Sequence, residues 1–238
     1  MVTHRPFVFL LLVLGLAVPF AAQTQTGLSP QVEELLVKAK QGDPVAQFRV
    51  ANAYDSGSGA PRDGAEAMRW YLAAAEQGYA EAQNSVGSGL QAEKKFVEAR
   101  AWYEKAAAQN HAFATNNLAY LYDLGLGVTQ DRQQAFKLYS QAADLGWAEA
   151  MWNLANMYGA GQLGGPPDLQ QACVWTLRAG AFAAPEQRQL STHVARVVPM
   201  LERRLTAAQM ASCREQALGW KPPREKERSD DPRSATSP

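Results

Sequence analysis

Net charge is what this sequence lacks first: 23 Lys and Arg stand against 23 Asp and Glu in 238 residues. That balance argues against a protein that grips nucleic acid or another polyanion through a basic surface. Cysteine is scarce at two residues and histidine at three. The hydrolase signatures G-x-S-x-G, S-x-x-K and H-E-x-x-H occur nowhere, so the usual nucleophile and paired-histidine zinc arrangements are missing. No catalytic residue, cofactor or metal site is read from the chain, and an enzyme is not expected. Long apolar runs are also missing, with one exception. Phe7 to Phe20 is free of charge, follows His4 and Arg5, and leads through Ala21 and Ala22 into the polar Gln23. A membrane span needs about 20 apolar residues, and this run of 14 is too short. It reads as a signal peptide over 1–22, cut between Ala21 and Gln25. No cysteine follows it to carry a lipid, so a periplasmic or secreted protein with no stable membrane span in its mature chain is expected.

What the sequence does have is 47% hydrophobic and 19% charged residues, enough to bury a core, and a repeat. GDPVAQ (42–47), GYAEAQ (78–83), NHAFAT (110–115) and GWAEAM (146–151) align on Ala46, Ala82, Ala114 and Ala150. Later in each unit come AMRWYLAAAEQG, ARAWYEKAAAQN, AFKLYSQAADLG and ACVWTLRAG. Both segments keep the helical period: Ala114, Leu118, Leu121 and Tyr122 share one stripe, and Ala135, Leu138, Tyr139 and Ala142 another. The units are set at 42–77, 78–109, 110–145 and 146–180. Gly57 and Gly59, and Gly125 and Gly127, stand where a chain turning back needs positive φ. Asp63, Asp131 and Asp168 stand where a side chain can cap the second helix. The second unit has fewer residues between its helices, so a tighter turn is predicted there. Gly159 to Gly164 matches a dinucleotide-binding string, but a helix feeds it where that fingerprint needs a strand, so it reads as another inter-helix turn.

Ser29 and Pro30 predict the start of a capping helix over 28–41. After Gly180 the repeat stops at Pro185, and capping helices are expected over 185–220. The first of these, with Leu190, Val194, Val197, Leu201 and Leu205 on one face, should be kinked or divided by Pro199, and Thr206 with Gln209 should form a capping box opening the next. Residues 221–238 lack apolar periodicity and read as a disordered tail.

The run A-x-x-x-L-A-x-x-Y-x-x-G-x-G-V at Ala114 to Val128, followed by A-x-x-x-Y-x-x-A-A-x-x-G at 135–146, resembles the Sel1-like repeat family, relatives of tetratricopeptide repeats. The resemblance covers 42–180. It implies an all-α solenoid of antiparallel helix pairs wound into a right-handed superhelix, with the first helix of each pair lining the concave face. It also implies an adaptor that holds another protein or an extended peptide. The second unit departs from the pattern, lacking the G-x-G turn and holding Leu90 in place of tyrosine.

By that geometry the residues two, three and six positions after each repeated alanine face the groove. Phe48, Arg49, Asn52, Asn84, Asn116, Asn117, Tyr120, Trp152, Asn153 and Asn156 are the candidate partner contacts. Asparagine both donates and accepts, which suits a peptide backbone, and Phe48, Tyr120 and Trp152 offer apolar anchors. Asn116 and Tyr120 are expected to bind without supporting the fold, although any of these asparagines could instead bond to a neighbouring repeat. Trp70, Trp102 and Trp175 read as inter-helix core, and His111 as a solvated turn residue. A glycan ligand fits the same rows and stays open. A third reading comes from cysteine-rich relatives assigned β-lactamase activity, but they carry a cysteine pair in each repeat, a pattern absent here. Cys173 and Cys213 are expected to form a disulfide in an oxidising compartment, with two buried thiols as the alternative, and the protein is expected to be a monomer.

Overall fold

Alanine at the repeated positions decides how closely the helices approach, because a methyl group is all that separates one backbone from the next. Ala46, Ala82, Ala114 and Ala150 are all buried. The computed structural model describes residues 27–222, so the expected signal segment 1–22 and residues 223–238 of the expected tail lie outside the described residues. Among the described residues there are eleven helices and no strand. α1 (Pro30–Lys40) opens the array. Four antiparallel pairs follow: α2 (Pro44–Ser56) with α3 (Gly64–Glu76), α4 (Ala80–Ala92) with α5 (Phe96–Ala108), α6 (Ala112–Leu124) with α7 (Arg132–Asp144), and α8 (Ala148–Ala160) with α9 (Leu169–Phe182). α10 (Arg188–Arg204) and α11 (Ala207–Leu218) close it. From α1 to α10 each helix packs against its neighbours in sequence, the quasi-one-dimensional arrangement of a solenoid.

The predicted caps are present. Ser29 accepts from Val32 N, Asp63 from Ala65 N and Glu66 N, Asp131 from Gln134 N, and Asp168 from Gln171 N. Thr206 and Gln209 form the reciprocal box. Gly127, at φ +67°, passes so close to the start of α5 that an added Cβ would lie 2.7 Å from the Phe96 carbonyl carbon, which excludes every other residue there. In the second unit the turn is tighter, as predicted: α4 ends at Ala92, α5 begins at Phe96, and Lys94 takes the left-handed conformation, φ 62°.

Polar side chains fix the register between units. Gln47 Nε2 donates to Ala39 O and Gln83 Nε2 to Ala75 O, each reaching the end of the preceding helix. In return Gln77 Nε2 donates to Gln47 Oε1 at 2.7 Å and Gln109 Nε2 to Gln83 Oε1 at 2.9 Å. Within a unit, the tyrosine of the second helix holds the first. Tyr71 Oη donates to Asn52 Oδ1 at 2.6 Å, and burial, with Asp55 nearby, pushes its pKa up to about 12. Of the tryptophan row, Trp70 is buried as core, whereas Trp102 and Trp175 are half-buried, each with a cation over its ring, Lys105 and Arg178 respectively.

The C-terminal helices do more than close the stack. The residue that precedes α10 is Gln187, three before Leu190, just as His111 and Trp147 precede α6 and α8, three before Ala114 and Ala150. Leu190 joins the cluster that contains Ala150. α10 therefore takes the place of a fifth first helix, with leucine where the repeat has alanine. It runs unbroken from Arg188 to Arg204, so Pro199 does not divide it. α11 lies against α9, where a disulfide joins Cys173 to Cys213 across 6.1 Å between Cα atoms. Both cysteines are fully buried, with Val174, Leu201 and Met210 around them. Trp220 packs edge-on to Trp175 and Phe182, and Pro222, the last described residue, is buried.

Candidate functional site

The first helices α2, α4, α6 and α8 present one stripe each, at helical spacing: Val45, Arg49, Asn52 and Ser56; Glu81, Ser85, Ser88 and Ala92; Phe113, Asn117, Tyr120 and Leu124; Glu149, Asn153, Asn156 and Ala160. The ten predicted contacts divide into two groups on this surface. Asn117 Nδ2 donates to Asn84 Oδ1 at 3.2 Å, and Asn153 Nδ2 donates to Asn116 Oδ1 at 3.1 Å. Asn84 and Asn116 are 6% and 8% exposed. These four residues bond one unit to the next, so Asn116 supports the fold, contrary to expectation. The reason is geometric: the position two after the alanine faces the position three after it in the following unit. Asn52 is exposed but accepts from Tyr71.

The aromatic anchors divide in the same way. Phe48 lies 5.7 Å from Tyr71 and 5.2 Å from Tyr79, ring to ring, half-buried against the hydrophobic cluster of the first unit. Trp152 stacks at 5.8 Å on His193 of α10, repeating at the end of the array the contact that asparagines make within it. Only Tyr120 stands free, 40% exposed. Arg49 and Asn156 are exposed as well.

Two residues that sequence reasoning passed over complete this surface. Phe113 and Leu124, 41% and 50% exposed, lie seven residues before and four after Tyr120, so α6 carries an exposed apolar stripe from its first turn to its last. Phe113 is held by stacking on Trp147 at 4.9 Å. The helical period through Tyr120 could have found both. Beneath the stripe, Tyr139 is buried close to Asp123 and Tyr120, and its pKa is raised mainly by burial. Arg132 faces Asp123 at 3.9 Å, while burial raises that carboxyl's pKa.

His111 corrects another expectation. It is half-buried and caps α6, its Nδ1 accepting from Ala114 N at 3.2 Å. Burial lowers its pKa, with Glu81 acting in the opposite direction. Among the described residues no three His, Cys, Asp and Glu side chains gather as a metal site would need, and no helix is long and apolar enough to cross a membrane. On this face the asparagines bond one unit to the next, and Phe113, Tyr120 and Leu124 form an exposed apolar ridge along α6.

Known proteins share this repeat architecture. The model of the Sel1 repeat family matches residues 44–79, 80–111, 112–147 and 148–181, more than half of the chain. No curated protein matches the sequence. Among solved structures the chain is similar to c5321, described as a protective antigen present in uropathogenic Escherichia coli strains displaying an SLR fold. The identity is 28% and the TM-score 0.71, over 87% of this chain and 45% of that one, so the present chain spans less than half of that protein. It is also similar to a Sel1 repeat protein from Oxalobacter formigenes, at 32% identity and TM-score 0.54, over 63% of this chain and 69% of that one. An immunity protein from Pseudomonas aeruginosa, Pa5087, shares the fold at 18% identity and TM-score 0.51, over 80% of this chain and 82% of that one.

Proposed function

Because the chain belongs to the Sel1 repeat family, whose repeats generally mediate protein interactions, we propose that it is an exported, non-enzymatic scaffold that holds a segment of a partner protein across the face of its first helices. The observation that carries this reading is the apolar stripe of α6, where Phe113, Tyr120 and Leu124 are held outward while the asparagines around them bond to one another. An aromatic residue on a rigid support is a common binding anchor. Because Asn84, Asn116, Asn117 and Asn153 have partners already, the face favours apolar recognition of a protein segment over amide recognition of a glycan. Export rests on the apolar run Phe7–Phe20 and is supported by the Cys173–Cys213 bond, since disulfides persist in oxidising compartments. The scaffold acts as a monomer.

The test replaces Tyr120 and Leu124 by alanine together. The variant should release a partner that the unaltered protein retains, with helicity and melting unchanged. Equal retention would contradict the reading.

A further inference from the structure

The zero net charge conceals an uneven distribution. Residues 27–187 hold 12 basic and 17 acidic side chains, whereas 188–218 hold five basic and two acidic. Three of those five, Arg188, Arg196 and Arg203, follow one another at intervals of eight and seven along α10, and all are exposed. Helical periodicity places them on one face with Met200, itself 55% exposed. The acidic residue of α10, Glu202, is taken by Arg214 at 2.7 Å. Among the described residues no hydrogen bond or ion pair engages the side chains of Arg188, Arg196 or Arg203.

The register of α10 says where this charge lies. His193 stacks on Trp152 as Asn153 bonds to Asn116, so His193 continues the row of Asn117 and Asn153. Arg196, three residues on, continues the row of Tyr120 and Asn156. Met200 continues that of Leu124 and Ala160. We propose that α10 is the fifth rung of the partner-binding face, and that the bound partner segment places carboxylates on Arg196 and its neighbours. This inference rests on the function proposed above and names the chemistry of the segment.

Packed helices lie about 8–10 Å apart, so the two steps from α6 to α10 span about 20 Å, or about six residues of extended chain at ~3.3 Å each. The segment therefore carries its apolar residues over Tyr120 and Leu124 and its acidic residues about six positions away. An anionic membrane would also attract the arginines. Such binding uses a helix whose apolar face is free to enter the bilayer, and α10 has turned Leu190, Val194 and Leu201 inward.

The probes are labelled peptides and vesicles, titrated against the full chain. The first peptide has Trp and Leu at one end and three glutamates six residues on. The second has the same composition with the glutamates beside the Trp, and the third is octaglutamate. Vesicles of phosphatidylglycerol form the other arm. The first peptide should bind best. Arg188→Glu with Arg196→Glu should weaken it about tenfold, more than one exposed ion pair would, and added salt should do the same. Tyr120→Ala with Leu124→Ala should weaken the first peptide and leave octaglutamate unchanged. Circular dichroism shows that each variant folds, and Arg196→Gln should give an intermediate loss.

If the charge reversals have no effect while the Tyr120 and Leu124 changes do, α10 is not part of the face, although the binding face stands. If the reversals alone matter, the acidic site is separate and the proposed function fails with it. Equal affinity for the first two peptides refutes the spacing. Vesicle binding that needs the arginines and is not displaced by the first peptide makes α10 a membrane site and overturns the inference, as does the absence of any peptide binding.

Discussion

Asn153 Nδ2 donates to Asn116 Oδ1 at 3.1 Å, joining α8 to α6 across 37 positions of sequence. Asn116 is buried and Asn153 half-buried, so removing one partner loses the bond and leaves the other's polar group poorly solvated. Asn116→Ala should therefore lower unfolding free energy by about 1–3 kcal/mol. The double change with Asn153→Ala should cost less than the sum of the two single changes, which urea titrations of all four proteins would show. Additive losses would mean that the bond contributes nothing of its own.

His111 ties stability to pH. Burial holds its pKa below the ordinary 6.5, so as the pH falls the unfolded chain takes up the proton first. The contribution of the cap is complete above about pH 6.5 and is lost as the pH falls toward the lower pKa of the folded protein, where Nδ1 can no longer accept from Ala114 N. His111→Asn keeps a capping acceptor without a titrating one. Melting temperatures measured from pH 7.5 down to 5.5 should fall more steeply for the unaltered protein than for the variant. Parallel curves would refute the assignment.

The bond between Cys173 and Cys213 closes a loop with a sequence separation of 40, worth about 4 kcal/mol by chain entropy. Reduction, or Cys213→Ala, should lower the urea midpoint accordingly and loosen α11 from α9 before the repeats unfold. Limited proteolysis would cut near 205–206 first in the reduced protein. Two reactive thiols per chain in denatured, unreduced material would contradict the bridge.

The helix pairs and their turns were legible in the sequence because they depend on local chemistry: alanine spacing, aspartate caps and glycine at positive φ. The binding surface was legible only in part. Periodicity shows that Asn116 and Asn117 lie toward the same side, but not that Asn116 meets Asn153 and Asn117 meets Asn84, since that depends on how one unit is staggered against the next. Phe113 and Leu124 were missed because neither falls in the rows that carry asparagine. α10 was hidden as a fifth rung because Pro185 breaks the pattern before it and Leu190 replaces the alanine. His111 gave no sign of capping, a task usually done by Ser, Thr, Asp or Asn.

The proposed partner sits on the first-helix face, with the α6 ridge at its middle. A photo-crosslinking residue placed in turn at Tyr120, at Leu124 and at Lys137, which is exposed on the second helix α7, reads this directly in cells making the protein. One adduct of the same mass is expected from positions 120 and 124, lost from each when the other is changed to alanine, and none from 137. An adduct from 137 with none from 120 and 124 would contradict it.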